Sequence, residues 1–455
     1  MNQKLTDHKL SAKEYLFLAS MLFGLFFGAG NLIFPVSMGQ SAGSAVWPAI
    51  GGFCLTAVGL PLLGVAALGI SRSDNLFDMA SRISPRYSYF FTCLLYLSIG
   101  PLFTMPRTAT VSFTVGVLPM LPPSWEKPAL FVFSALFILV VLFFSLRPSG
   151  ILTWVGKILN PIFLLFFSIL AVTALMNPMS RIADSAPVGT YETMSFFQGF
   201  LDGYNTVDAL TALAFGIILI DAIRTLGVVS PGGISAATVK SGVFSSILMV
   251  AIYCMLALIG AQSRAVIGIS QDGGQALAGI GAHYFGPFGG ILLGIIVTFA
   301  CLKTAIGLVT SCAATFADLF THTLTYRGYC ILFCLFSFGV ANMGLGGIIQ
   351  FSLPLLMFLY PLTITLILLC LTGHWFDYDR RVFVCVTVPT FLVAILDFLN
   401  TLPAGVQSFL HAEALLAPAR AYLPFYDVSL GWVVPALAGL AVGFALRAAD
   451  RKNAA

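Results

Sequence analysis

Charge is what this 455-residue chain has least of: Asp, Glu, Lys and Arg make up 9% of it, against 59% hydrophobic residues. A soluble domain carries about a quarter and could not cover its surface with so few. The chain therefore reads as an all-α polytopic membrane protein. Basic tracts are missing too, so nothing points to nucleic acid. The nine cysteines are scattered through apolar runs without a Cys-x-x-Cys pair, which argues against a metal cluster or a disulfide framework. They read as small buried apolar residues. His283, His322, His374 and His411 fall near the ends of apolar runs, so no buried histidine relay is indicated. No span shows the repeated polar stripe of a channel, and no convergent acid–base set marks an enzyme. No cofactor is expected. The polar first ten residues lack the short apolar core and small-residue cleavage site of a removable leader, so none is expected.

What is present is apolar length. Ser11-Ala12-Lys13-Glu14 matches a capping box and marks the start of the first helix. Apolar runs recur at roughly 14–40, 45–70, 87–117, 129–146, 150–176, 193–221, 240–261, 285–320, 327–343, 346–372, 381–400 and 429–447, about twelve spans. Runs one, three and eight exceed the roughly 20 residues a span needs, so they are expected to be tilted or broken. With the N-terminus cytoplasmic, 16 of the 22 basic residues face the cytoplasm, from Lys4 and Lys157 to Lys452. Only Lys127, Arg181, Arg264 and Arg420 face outward, which places both termini inside.

The first run contains Phe23-Gly24-Leu25-Phe26-Phe27-Gly28-Ala29-Gly30-Asn31-Leu32-Ile33-Phe34-Pro35. Glycine costs about 1 kcal/mol per helix-interior position, and Pro35 removes a hydrogen bond while disfavouring helix at Phe34. Non-helical backbone at membrane depth survives where it lines a cavity or is buried in protein. The stretch reads as a broken helix whose freed amides and carbonyls face a polar solute; the plainer alternative is a kinked helix with glycines for packing. The sixth run is interrupted by Phe200-Leu201-Asp202-Gly203-Tyr204-Asn205-Thr206-Val207-Asp208. Ionisable groups there are costly and usually functional or paired; the alternative puts Asp202 and Asp208 in a water-filled vestibule. Two interrupted helices five apart imply an inverted repeat, because five is odd. The units are an N-terminal segment 1–13, a first repeat 14–176, an inverted repeat 193–372 and two further helices in 381–447.

Gly307, Thr310 and Ser311 share one face of the eighth span and offer two hydroxyl oxygens suited to a monovalent cation. Hydroxyls that bond back to their own helix are the plainer reading. Lys303, two turns away, reads as a fixed charge at that site or a partner for a neighbouring acid. Arg107, after Pro101 and Pro106, reads as part of the outer pathway or as reaching toward the interface.

Lys13-Glu14-Tyr15 through Gly24, Gly28-Ala29-Gly30-Asn31 and Phe34-Pro35, with Gly203-Tyr204-Asn205-Thr206, resemble the bacterial branched-chain amino acid:cation symporters, the BrnQ-type carriers. More distantly, the two interrupted spans and Thr310-Ser311 are similar to the LeuT fold. That resemblance implies a five-plus-five inverted repeat, a midplane amino acid site and a sodium site between the first and eighth helices. The implied sodium ligands are carbonyls of Gly24, Phe27 and Gly307 with hydroxyls of Thr310 and Ser311. The first break is one residue shorter before its Phe-Pro than in LeuT and lacks an arginine there, so that relative's gating contacts do not carry over. For an amino acid, the amides of Ala29, Gly30 and Asn31 after Gly28 would meet the carboxylate. Carbonyls near Leu25, Phe26 and the break at Gly203, Tyr204 and Asn205 would receive the ammonium. The expectation is a monomeric carrier in the bacterial cytoplasmic (inner) membrane, importing leucine, isoleucine and valine with Na⁺ by alternating access. Proton coupling through Asp202, Asp208 or Lys303 is the alternative.

Overall fold

A computed structural model describes residues 8–147 and 160–453. Lys4, Lys157 and residues 150–159 of the fifth apolar run lie outside the described residues. All regular elements among those described are helical, and eight helical stretches are long and apolar enough to cross a membrane. In chain order the α-helices are α1 (Ala12–Phe26), α2 (Ala29–Ala42), α3 (Val46–Cys54), α4 (Leu60–Ser71), α5 (Leu76–Ser81), α6 (Pro85–Leu97), α7 (Thr104–Gly116), α8 (Glu126–Ser145) and α9 (Asn160–Met176). There follow α10 (Tyr191–Tyr204), α11 (Asp208–Thr225), α12 (Pro231–Ile267), α13 (Gly273–Leu319), α14 (Tyr326–Ala341), α15 (Gly344–Thr372), α16 (Arg380–Thr401), α17 (Ala404–Phe409), α18 (Glu413–Tyr422) and α19 (Val433–Asn453).

The first helix starts where the capping box placed it. The Glu14 amide donates to Ser11 Oγ at 3.3 Å, and the Ser11 amide donates back to the Glu14 carboxylate at 2.6 Å. Spans one and six are both interrupted, between α1 and α2 and between α10 and α11. The first interruption lies at Phe27-Gly28 and not at Phe34-Pro35. Pro35 sits inside α2 and leaves the Asn31 carbonyl without its usual donor one turn on. Span three is interrupted differently, by a π-helical segment Ser98–Leu102 around Pro101 that joins α6 to α7. The surplus length of run eight is not a break in the span. Gly286, at φ +62°, separates a loop helix from the long stretch Gly289–Leu319.

Helices meet most closely where glycine removes the side chain. A Cβ on Gly39 of α2 would stand 2.0 Å from the Ala257 carbonyl oxygen of α12, and one on Gly199 of α10 would stand 2.1 Å from that of Ala49 in α3. Gly116 of α7 and Gly294 of α13 face each other so closely that a Cβ on Gly294 would come within 2.3 Å of the Gly116 Cα. These contacts set backbone against backbone, as small residues permit in membrane helix pairs.

Candidate functional site

The two interruptions are built from different parts. At the first, α1 ends with the Phe27 amide bonded to the Phe23 carbonyl, and Gly28 is extended at φ −128° and ψ −158°. Asn31, on the first turn of α2, turns back and accepts the Gly28 amide at 2.9 Å. This satisfies one of the donors a helix start leaves open. At the second, Val207 holds a left-handed conformation at φ +66°, and Thr206 Oγ1 donates to the Gly203 carbonyl at 2.8 Å. Thr206 also accepts the Asp208 amide at 3.4 Å, so this turn is closed from within its own chain.

A buried node ties the two together. Asn31 Nδ2 donates to Asp208 Oδ2 at 2.6 Å, and the Tyr253 hydroxyl of α12 donates to the same oxygen at 2.8 Å. Asn31 and Tyr253 also touch each other. Asp208 is 1% exposed, which removes the vestibule reading for this carboxylate. Asp202 is separate, held on α10 by the Tyr191 hydroxyl and by Gln198 Nε2 at 3.0 Å. Arg107 of α7 does not reach an interface. It is 1% exposed, donates to the Asn205 carbonyl at 2.7 Å and covers the Phe34 ring at 5.2 Å. Gly30 lies directly against it. Gly28, Ala29, Gly30 and Asn31 on one side and Gly203, Tyr204 and Asn205 on the other thus converge through Arg107 and Asp208. The Asn31 side chain is committed to the architecture at both of its ends.

The five residues read as ion ligands are more dispersed. Gly24 is buried in α1, and Gly307 packs against Leu25 and Phe215. Ser311 donates to the Ala214 carbonyl of α11 at 3.4 Å, while Thr310 is half-buried and turns toward Tyr326. The hydroxyl that meets the Phe27 carbonyl belongs to Thr304, at 3.4 Å, and its methyl would lie 3.0 Å from a Cβ on Gly28. Lys303, 5% exposed, sits 5.9 Å from the Phe23 ring. Sequence reading missed Thr304, Tyr253 and Tyr360. The signal for Thr304 was its place three residues before Gly307, on the same helical face. Tyr360 stacks on Tyr204 at 3.8 Å, but an isolated tyrosine in an apolar run announces no such partner.

An apolar wall completes the site. Phe23 stacks on Phe27 at 5.0 Å, Phe27 on Tyr253 at 6.3 Å, and Phe53 meets Tyr253 edge-on at 5.2 Å. The start of α2 offers amides and a positive dipole end to an anion; the Phe27 carbonyl offers an acceptor to a cation. Beside them lie apolar rings that suit an aliphatic group. This set is suited to a small amphoteric solute and holds no nucleophile–base pair.

Comparison with known proteins agrees. Residues 11–450 match the family described as "Branched-chain amino acid transport protein". The chain is 50% identical to the branched-chain amino acid permease BrnQ of Lactobacillus delbrueckii subsp. lactis, over 94% of this chain and 95% of that one. It is 39% identical to BrnQ of Bacillus subtilis, over 96% and 98%. Among solved structures it resembles Mhp1, a nucleobase-cation-symport-1 family transporter, at TM-score 0.60 and 18% identity, covering 94% of this chain and 91% of that one. MhsT in complex with L-phenylalanine matches at TM-score 0.52 and 15% identity, over 95% and 100%. These likenesses show a LeuT-like fold with broken first and sixth helices. The chain belongs to the branched-chain amino acid transport family, as a polytopic membrane transporter and not an enzyme.

Proposed function

We propose that this transporter imports leucine, isoleucine and valine across the bacterial cytoplasmic membrane by sodium symport, with both termini cytoplasmic. The observation that carries the reading is the pairing of the two interrupted helices through Asn31 and Asp208, which brings both breaks together in the interior. An aliphatic side chain suits the Phe23–Phe27–Tyr253 wall, and a pocket of this kind discriminates one methylene by only about 1–3 kcal/mol. The three amino acids should therefore compete with one another, while lysine and glutamate would strand a charge.

Sodium would lie between α1 and α13, on carbonyls of Gly24, Phe27 and Gly307 and hydroxyls of Thr310 and Ser311. Thr304 joins this set because its hydroxyl meets the Phe27 carbonyl. Binding of ion and solute would each favour the closed form, which couples them during alternating access. A second reading, proton coupling, draws on Lys303, a buried amine immediately before Thr304. The test is radiolabelled leucine uptake into proteoliposomes with sodium and proton gradients imposed separately. Uptake driven by sodium alone, and inhibited by valine but not glutamate, is the expected result. Uptake that follows only the proton gradient would transfer the coupling role to the second reading.

A further inference from the structure

The guanidinium of Arg107 is used along one edge only. Nη1 donates to the Asn205 carbonyl, whereas Nε and Nη2 are buried without any hydrogen-bond partner. Among the described residues no ion pair engages it. The neighbouring carboxylate, Asp208, has its Oδ2 taken by Asn31 and Tyr253. A cation in a dry interior with two idle donors is costly unless an anion meets it.

The direction of the open edge is set by Gly30. A Cβ built there would lie 2.9 Å from Nη2 and 3.3 Å from the Phe34 ring, so the guanidinium rests against the bare backbone of α2's first turn. That turn carries amides with no partner inside the helix. Nε–H and Nη2–H form the side-on fork of an arginine, whose spacing matches the two oxygens of one carboxylate. Helix start and fork converge on the same place.

We infer that Arg107 receives the carboxylate of the transported amino acid, side-on through Nε and Nη2, with the first amides of α2 closing the other side. The inference rests on the amino acid substrate proposed above and adds the residue that recognises its constant end. Selectivity for a free carboxylate then comes from α7 and α2, and selectivity for the side chain comes from the aromatic wall.

The experiment measures direct binding of L-leucine and of L-leucinamide, which lacks the carboxylate charge, to purified full-length protein. Wild type, Arg107→Gln and Arg107→Lys are compared. Wild type is expected to prefer leucine by about a hundredfold, the scale of two charge-assisted hydrogen bonds. Arg107→Gln should bring the two ligands to within about fivefold, through loss of leucine affinity with leucinamide little changed. Arg107→Lys keeps the charge without the fork and should fall between. A leucine-to-leucinamide ratio that stays at the wild-type value, or equal loss of both ligands, overturns the assignment. If Arg107→Gln fails to fold, Arg107→Lys carries the same comparison. Wild-type protein that binds none of the three branched-chain amino acids sinks the substrate reading instead, and that result needs no variant.

Discussion

The two interruptions that face each other solve one problem with opposite materials. The first uses glycine and borrows a side chain: Gly28 is extended, and Asn31 supplies the acceptor for its amide. The second has no glycine at the turn. Val207, a β-branched residue that is 1% exposed, is held at φ +66°, and the cap comes from the adjacent Thr206. Such a conformation costs roughly 1–3 kcal/mol and persists only where the surroundings determine it. Both are buried, but the first should be fragile to loss of the Asn31 side chain, and the second should be more tolerant of change at Asn205.

The largest expected effect tests that contrast directly. Asn31→Ala removes the acceptor for Gly28 and the donor to Asp208, leaving two buried polar groups short of partners at about 1–3 kcal/mol each. Leucine binding by purified protein should weaken by about a hundredfold or more. Asn205→Ala keeps the carbonyl that Arg107 uses and should stay within about threefold. Equal losses would erase the distinction between the two sites.

A smaller effect separates the hydroxyls along α13. Thr304 meets a carbonyl freed by the first interruption, whereas Ser311 meets the Ala214 carbonyl in the middle of α11. Thr304→Ala should raise the half-saturating sodium concentration by about 5- to 100-fold, with high sodium restoring leucine binding through linkage. Ser311→Ala should shift it less. The check is leucine binding across a sodium titration, and an unshifted curve in Thr304→Ala, Thr310→Ala and Ser311→Ala alike would favour proton coupling.

The smallest effect is at Val207. Glycine there relieves the left-handed strain but gives up the burial of a valine, about 1.5–3 kcal/mol, so stability should change by no more than about 2 kcal/mol. Thermal unfolding in detergent measures it. A large loss would mean that Val207 packing, and not the turn, holds the second interruption together.

The first interruption could be read from residues 24–35 because glycine density and an asparagine signal it chemically. Its position was legible too: the restart was expected after Gly28, and α2 begins at Ala29 with Pro35 inside it. Asp202 and Asp208 looked alike in the sequence. They differ because Tyr253, on another helix, reaches only Asp208, while Asp202 finds partners on its own helix. The burial of Arg107 was hidden for a related reason. Pro101 and Pro106 marked the irregularity before it, but its partner, the Asn205 carbonyl, lies on another span and leaves no sign near Arg107 in the sequence. Thr304 escaped notice beside the more conspicuous Thr310-Ser311 pair.

The glycine contacts described above have a mechanical consequence. Where backbone lies on backbone, as at Gly39 on Ala257, Gly199 on Ala49 and Gly116 against Gly294, there is no side chain to change rotamer and take up slack. Such joints behave as welds, fixing α2 to α12, α10 to α3, and α7 to α13. The joins across the site are of another kind: Arg107 to the Asn205 carbonyl, and Thr304 to the Phe27 carbonyl. Each is a single side-chain hydrogen bond, and the partner it gives up must be replaced when the join opens. If the carrier works by alternating access as proposed, a molecule welded within its blocks and latched between them would have its hinge line drawn through the proposed site, and a bound solute would itself be one of the latches.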